Sequence, residues 1–439
     1  MRIALIAMSG TRAVNKELHQ LGQHMAGFHE RWETIASLPS LSLLTLAGLT
    51  PGEHRYIYME VEEVDTAGLW NEQVDLVAIS SYSAQIYEAY RLARRCRDRG
   101  IPTVIGGPHV SVLPQEAAAH CDAVVVGQGE LVWRQVLDDC AAGKLQSVYG
   151  ALDRDFDLEN APMPAFDLLD VSQYNRLSVQ TSRGCPHHCE FCASSVLVTG
   201  GYNQKPIGKV LAEIDAIKTV WKRPFIEFAD DNSFVRRAYW RELLPELKKR
   251  RIRWFAEADL AVGQDEELLK LMRDSGCAQV LIGLESPLEA DLDGLDLKTN
   301  WKKEQFHHYR ERIRTIQSHG ITVNGCFVVG MDTHTPDIFD AIYDFVRDTE
   351  LFEVQVTILT PFPGTPLYDR LRREGRLLDE TAWYKCTLYD VNYQPSHMSV
   401  EELNDGFRDL CLRLYCDEFT KWRRDTFKKH WRAQLRRNR

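Results

Sequence analysis

No stretch of this chain is apolar for the roughly 20 residues that a membrane span requires. The apolar run nearest the start, Ile3–Met8, follows a single Arg and is too short for the core of a signal peptide. It predicts a buried first strand and a cytoplasmic protein. There is no internal repeat and no low-complexity tract, and a composition of 44% hydrophobic and 26% charged residues excludes a disordered or collagen-like chain. Positive charge is scarce over most of the length. The formal net charge is −10, and the tail Lys421–Arg439 alone contributes nine Lys/Arg against one Asp. The other 420 residues therefore carry −18, which excludes a general nucleic-acid binder. Eleven cysteines, an odd number in a chain of 439 residues, exclude a disulfide framework and predict reduced thiols.

The length predicts two or three domains. Residues 1–150 alternate apolar strands with helices. The strands are Arg2–Met8, Tyr56–Val61, Val74–Ser80, Pro102–Ile105 and Ala123–Val126. This pattern predicts an α/β domain with a doubly wound, Rossmann-like parallel sheet, in which ligands bind beyond the carboxyl ends of the strands. Three strands run into the turns Ser80-Ser81-Tyr82-Ser83, Gly106-Gly107-Pro108-His109 and Gly127-Gln128-Gly129-Glu130, all on one rim. Residues 151–176 read as a linker. Residues 177–371 hold six more strand–helix units, enough for a partial (β/α)6 barrel with its reactive rim again at the carboxyl ends. Residues 372–439 read as a mainly helical region with a basic tail, Val400–Phe419 forming one amphipathic helix.

Directly after the first barrel strand stands Cys185-x3-Cys189-x2-Cys192. Three thiolates so close together can each ligate an iron of a [4Fe–4S] cube and leave the fourth iron open. A zinc site completed by His187 or His188 is the alternative. The other eight cysteines read as small core hydrophobes. The second barrel strand ends in Asp230-Asp231-Asn232, the third in Glu257 and Asp259, and the fourth in Gly283-Leu284-Glu285-Ser286. All are polar groups at strand ends, where a ligand would meet them. Asp231, Asn232 or Ser233 also suits a helix N-cap.

Cys-x3-Cys-x-aromatic-Cys after a first barrel strand resembles the radical S-adenosylmethionine (radical SAM) superfamily. The resemblance implies that Cys185, Cys189 and Cys192 hold a [4Fe–4S] cluster whose open iron chelates SAM. Asp230 or Asp231 would hold the methionine amino group, and Asn232, Glu257, Gly283, Glu285 and Ser286 would contribute further SAM contacts. Joined to this barrel, the N-terminal half resembles the cobalamin-binding domain of one subfamily. Ser80, Ser81, Tyr82, Ser83, Gly106, Gly107, Pro108, His109, Gly127, Gly129 and Glu130 would then surround the corrin and its tail. The Asp-x-His-x-x-Gly loop that supplies a cobalt-ligating histidine is missing; Asp65-Thr66-Ala67-Gly68 has the acid without the histidine.

The activity so implied is methylation of an unactivated carbon, through a 5′-deoxyadenosyl radical and methylcobalamin. The alternative with the same parts is ring formation, ring contraction or oxidative rearrangement without methyl transfer. A non-catalytic corrinoid or Fe–S carrier is the third reading, against which the SAM-matching motifs argue. The implied partners are a small-molecule or natural-product substrate and an external electron donor of the flavodoxin or ferredoxin type. The basic tail, with Trp422, Phe427 and Trp431 among its charges, reads as a solvated helix end, as a peripheral contact with an anionic membrane, or as a binding surface for a nucleic acid or a leader peptide.

Overall fold

The computed structural model describes residues 1–9, 13–15, 18, 38–194 and 201–437. Two six-stranded parallel sheets account for most of it. The first has strands β1 (Arg2–Met8), β2 (Arg55–Val61), β3 (Leu76–Ser80), β4 (Thr103–Gly106), β5 (Ala123–Gly127) and β6 (Val148–Ala151), in the order β2-β1-β3-β4-β5-β6. Its inner strands β1, β3, β4 and β5 are near-continuous apolar runs because helices cover both faces. The order reverses direction between β1 and β3, which makes their carboxyl ends the switch point. β6 adds a sixth strand to the five that the apolar runs predict. It is a four-residue edge strand with a half-exposed face and with Gly150 at φ +82°, so it carries no apolar run.

The chain then passes through three single-turn helices, Leu158–Asn160, Phe166–Leu168 and Val171–Gln173. It enters the second sheet at β7 (Leu177–Val179). Two short strands, β8 (Ser182–Arg183) and β9 (Asn203–Gln204), pair antiparallel beside it. The sheet continues with β10 (Phe225–Phe228), β11 (Arg253–Ala258), β12 (Cys277–Glu285), β13 (Thr322–Val329) and β14 (Glu353–Ile358), in sequential order with every neighbour parallel. That is a partial (β/α)6 barrel. Alternate strand residues decide its two faces. In β12, Val280, Ile282 and Leu284 are fully buried under the outer helices, while Leu281 and Gly283 stand half-buried on the other face. Trp240 and Trp254 stack at 5.9 Å between centroids, with Phe228 edge-on to both, and fill the outer core.

The C-terminal region touches both sheets. Trp383 lies edge-on to His109 at 5.3 Å and donates to Glu116 at 3.1 Å, both on the N-terminal unit. The helix Val400–Tyr415 begins with a capping box between Ser399 and Glu402. The single helix expected over Val400–Phe419 breaks at Cys416, where ψ is 150°. A second helix, Asp417–Arg437, follows, and its fully buried Arg423 donates to the Leu414 carbonyl at 3.0 Å, which caps the first. Phe427 packs edge-on to Phe352, and Trp431 lies so close to Gly320 that a Cβ there would be 2.6 Å from its ring. Gly320 and Phe352 precede β13 and β14, so the tail is docked at the amino-terminal end of the barrel. All three of its aromatics are used within the chain, Trp422 stacking on Phe419 at 5.3 Å, and Lys421, Lys428, Lys429 and Arg432 form a solvated face. The last two tail residues lie outside the described residues. Among the described residues no helix is long and apolar enough to cross a membrane.

Trp431→Ala removes a half-buried ring from this dock. We expect a loss of about 1–2 kcal/mol of stability, read as a lower denaturant midpoint. An unchanged midpoint would show that the tail helix is not part of the fold.

Candidate functional site

The two rims meet. Arg183, two residues before Cys185, donates to Gln128 and, at 2.8 Å, to Glu130 of the third N-terminal turn. The Arg183–Glu130 pair is largely buried, and its charge-assisted bonds fasten one rim to the other. Gln128 also binds Asp155 and the Phe156 amide across the connecting segment.

Of the turn 80–83, Tyr82 is the side chain presented outward. It is 65% exposed, yet burial of its hydroxyl among surrounding walls and the charge of Glu227 on β10 raise its pKa. The charge of Glu227 on β10 reaches it, so Tyr82 stands where the N-terminal rim meets the barrel. Ser81 and Ser83 turn inward instead. Ser81 is buried and donates to the Tyr82 carbonyl at 3.0 Å, and Ser83 is 3.0 Å from His109 Nδ1. His109 is fully buried between Ser83, Glu116 and Trp383. These three side chains shape the turns from within, because a buried polar group must find its partner there. The glycine requirement at two positions is likewise internal. A Cβ on Gly107 (φ +114°) would stand 2.6 Å from the Ser81 carbonyl oxygen, and one on Gly127 (φ +73°) 2.5 Å from that of Ala151. Ser80, Gly106, Pro108 and Gly129 remain half-exposed along the rim.

The cysteine loop leaves β8 and is held from several sides. Asp231 accepts from the Gly184 amide at 2.9 Å and from the Ser194 hydroxyl at 2.5 Å, so one carboxylate closes both ends of the loop. Asp296 accepts from the His188 amide and lies 3.3 Å from His187. Asp230 is 2% exposed, and its carboxylate takes the amides of Thr181 at 2.7 Å and Ser182 at 2.9 Å. Burial outweighs these bonds and raises its pKa to about 6. Asp230 thus sets the strand end beneath the loop, and Asp231, which is exposed, is the one of the pair open to a ligand. Asn232 is 7% exposed with its carboxamide oxygen unpartnered among the described residues.

None of the cysteines is disulfide-bonded. Burial raises the Cys185 thiol and pushes that of Cys189 up to about 12. A thiolate here needs a bound cation, which iron supplies. Among the described residues no three His, Cys, Asp or Glu side chains converge as one zinc ion would require. Three cysteines on one short loop are the donor set of a cube, in which each thiolate has its own iron. The donor set therefore fits the cluster.

The end of β12 is strained. Its register with β13 shifts between Gly283 and Glu285, and Glu285 holds φ at +63°, a conformation L-residues seldom keep without a reason in the site. Lys302, from the helix Trp301–Gln305, donates to the Gly283 carbonyl at 2.8 Å and to Glu285 at 3.1 Å. Burial opposes its charge, but Glu285 and Asp259 outweigh burial and hold its pKa above the usual range. Burial would also raise Asp259; His187, Lys302, the Ala261 amide and the Trp301 indole outweigh it and hold the carboxyl at about 2. Ser286 departs from the expected ligand contact. It is fully buried and donates to Asp291, which lies 3.1 Å from His334, and His334 in turn accepts from the Gly330 and Met331 amides. Through Asp291 and His334, the fully buried Ser286 ties the end of β12 to the turn after β13. Sequence reading missed Arg183, Lys302, Trp301 and Asp296. Trp301 and Lys302 lie in WKKEQ, whose charge suggests only a solvated helix.

Glu257 on β11 has the most displaced carboxyl of the rim. Burial, then the charges of Glu227, Asp231 and Asp230, raise its pKa from 4.5 to about 8. The fold prefers its protonated form, so the stability it contributes is complete below pH about 4.5 and is lost as the pH climbs through about 8. We expect the unfolding free energy of the ligand-free chain to fall by about 1–3 kcal/mol over that window. Glu257→Gln, neutral throughout, should flatten this limb in denaturant titrations. An unaltered pH profile in the variant would contradict the assignment.

Three family models match the chain. The radical SAM superfamily covers residues 179–346, the B12 binding domain 38–137, and a domain of unknown function (DUF4070) 365–439. The bacteriochlorophyllide d C-12(1)-methyltransferase of Chlorobaculum tepidum is 30% identical over 386 residues, 86% of this chain and 83% of that protein. The hopanoid C-2 methylase of Rhodopseudomonas palustris is 29% identical over 362 residues, 79% and 67% of the two chains. Among solved structures, the radical SAM methyltransferase TsrM from Kitasatospora setae aligns with a TM-score of 0.65 at 15% identity, over 85% of this chain and 76% of that one. The cobalamin-dependent SAM radical enzyme OxsB aligns at 0.70 and 15%, over 99% and 71%. At such identity these two speak for the fold, and the fold they share joins the same two units. With the closed cysteine loop and the coupled rims, these matches show that the chain belongs to the radical SAM enzymes that carry a B12-binding domain, with a [4Fe–4S] cluster, SAM and cobalamin as their cofactors.

Proposed function

We propose that this chain is a cobalamin-dependent radical SAM C-methyltransferase acting on a small-molecule natural product at an unactivated carbon. The observation that supports it most is the Arg183 contact, which turns the carboxyl ends of both sheets toward one recess. When bound, the cluster with SAM supplies hydrogen abstraction and the corrin supplies a transferable methyl group; such a carbon has no proton that ordinary acid–base groups could remove.

The chain's own residues bind and orient. Cys185, Cys189 and Cys192 would ligate three irons. Asp231 would accept from the methionine ammonium of SAM while it keeps the loop closed. Glu285 and Lys302 form a charged pair whose two ends suit an amino-acid group or ribose hydroxyls. Glu257, neutral at pH 7, would donate a hydrogen bond rather than accept one. Tyr82 offers the flat face of a corrin an aromatic surface, with Ser80, Gly106, Pro108, Gly129 and Glu130 along the same rim. Among the described residues the N-terminal sheet has only His54, His109 and His120. His109 is buried, His120 stacks on Tyr90 at 4.1 Å, and His54 lies beside the Met1 amine. Of the three, His109 alone belongs to a rim turn, and its ring is turned inward onto Ser83.

The divisions of the chain fit this assignment: 1–150 for cobalamin, 151–176 as linker, 177–371 as the barrel, and 372–439 as a helical brace. An external one-electron donor of the flavodoxin or ferredoxin type would reduce the cluster. The two curated relatives act on a bacteriochlorophyllide and a hopanoid by name, which makes polycyclic substrates the first to assay.

Anaerobically reconstituted protein should retain iron and corrin absorbance after desalting, and should yield a product heavier by one CH2 with two SAM consumed per turnover. Cys189→Ala should lose iron and abolish SAM cleavage while keeping the corrin. Turnover to a product without the CH2 gain would replace methylation with a rearrangement.

A further inference from the structure

Glu190 stands inside the cysteine loop, directly after Cys189, and every hydrogen-bonding group it has is engaged. Its amide donates to the Leu295 carbonyl at 3.0 Å, and its own carbonyl accepts from the Leu367 amide at 3.1 Å. Its carboxylate takes a two-pronged grip from Arg370, with Nε at 2.6 Å and Nη2 at 2.9 Å. Arg370 gives its remaining nitrogen to Asp332 at 2.6 Å. Asp332 also accepts from Arg376 at 2.7 Å and from Ser396 at 3.0 Å. Arg370 rides on the helix Pro366–Arg373, whose start is fixed by the Thr365 side chain accepting from the Tyr368 amide.

We infer that Arg370 is a positioning residue for the cluster: its planar fork fixes the arm of the loop that runs from Cys189 to Cys192, and ties that arm to the C-terminal region. Three features support the inference. The arm is an irregular turn, its internal hydrogen bond running from the Cys192 amide to the Cys189 carbonyl at 3.1 Å. Ordering such a turn costs conformational entropy for each residue held. A bidentate guanidinium–carboxylate pair is the strongest common way to offset that cost. Finally, the pair is no isolated surface contact: Arg370 and Glu190 are 26% and 22% exposed, and Asp332 from the segment after β13 and Arg376 from the C-terminal region continue the network. This also gives a task to the Pro361–Pro366 turn, which aims the helix at the loop.

The inference rests on the three cysteines being cluster ligands, and its test separates the two claims. Arg370→Met removes the fork and Arg370→Lys keeps only the charge; Glu190→Gln weakens the other side without shortening it. Each reconstituted variant is exposed to an iron chelator, and its reduced cluster is examined by EPR with and without SAM. Corrin absorbance and the thermal midpoint serve as measures of fold. We expect R370M to release iron about tenfold faster, the weight of one charge-assisted hydrogen bond. R370K and E190Q should fall between it and the parent. The EPR line shape should change in R370M while corrin retention and midpoint match the parent. Parental iron release and line shape in both R370M and E190Q would overturn the inference. So would a loss of corrin in step with iron, which marks general unfolding. A parent protein that takes up no iron would instead refute the cysteine assignment.

Discussion

The structure depends on the contact between Arg183 and the turn Gln128–Glu130. Two parallel sheets could be joined in many ways, and each would place its own binding rim correctly. Only an arrangement with both rims on one recess lets two large cofactors meet a single substrate carbon. Arg183 fulfils that constraint because it sits between β8 and the cysteine loop, two residues from Cys185. Its charge is used where the two units meet, and a guanidinium with two acceptors there leaves little freedom of rotation. Trp383 braces the same union from the other side, with its indole on Glu116 and its ring against His109.

A second theme is how carboxylates are allotted. The barrel rim carries many acids, and most of them hold backbone rather than ligand. Asp230 sets the end of β7, Asp231 closes the loop, Asp296 holds His188, and Glu190 takes the grip of Arg370. The loop has little regular structure, so its shape has to be imposed by neighbours. Glu257 is left over from these tasks: burial first, then the charges of Glu227, Asp231 and Asp230, raise its pKa to about 8, so it stands at the rim as a neutral acid.

Much of this was legible in the sequence. Both parallel sheets, the barrel strands and the positions of all three N-terminal turns follow from apolar runs and the residues that end them. Strand β6 escaped because Val148–Ala151 is short, half-exposed and at an edge. The orientation of side chains inside the turns escaped for a different reason. Ser81, Ser83 and His109 are polar and stand at a rim, so they read as ligand contacts, yet their hydrogen-bond partners lie within the fold. Ser286 is the same case on the barrel. Lys302 and Arg370 were hidden because each comes from a helix that looks solvated in one dimension and reaches the site only in three. The break at Cys416 depends on Arg423 finding the Leu414 carbonyl, a contact that periodicity does not encode.

The central claim is that the cluster and the corrin share one recess. Pulsed EPR on anaerobic protein holding both a reduced cluster and cob(II)alamin measures it most directly. The account predicts a strong dipolar splitting between the two paramagnets in the parent protein. Signals that superimpose on those of the cluster alone and the corrin alone, with no splitting, would contradict it.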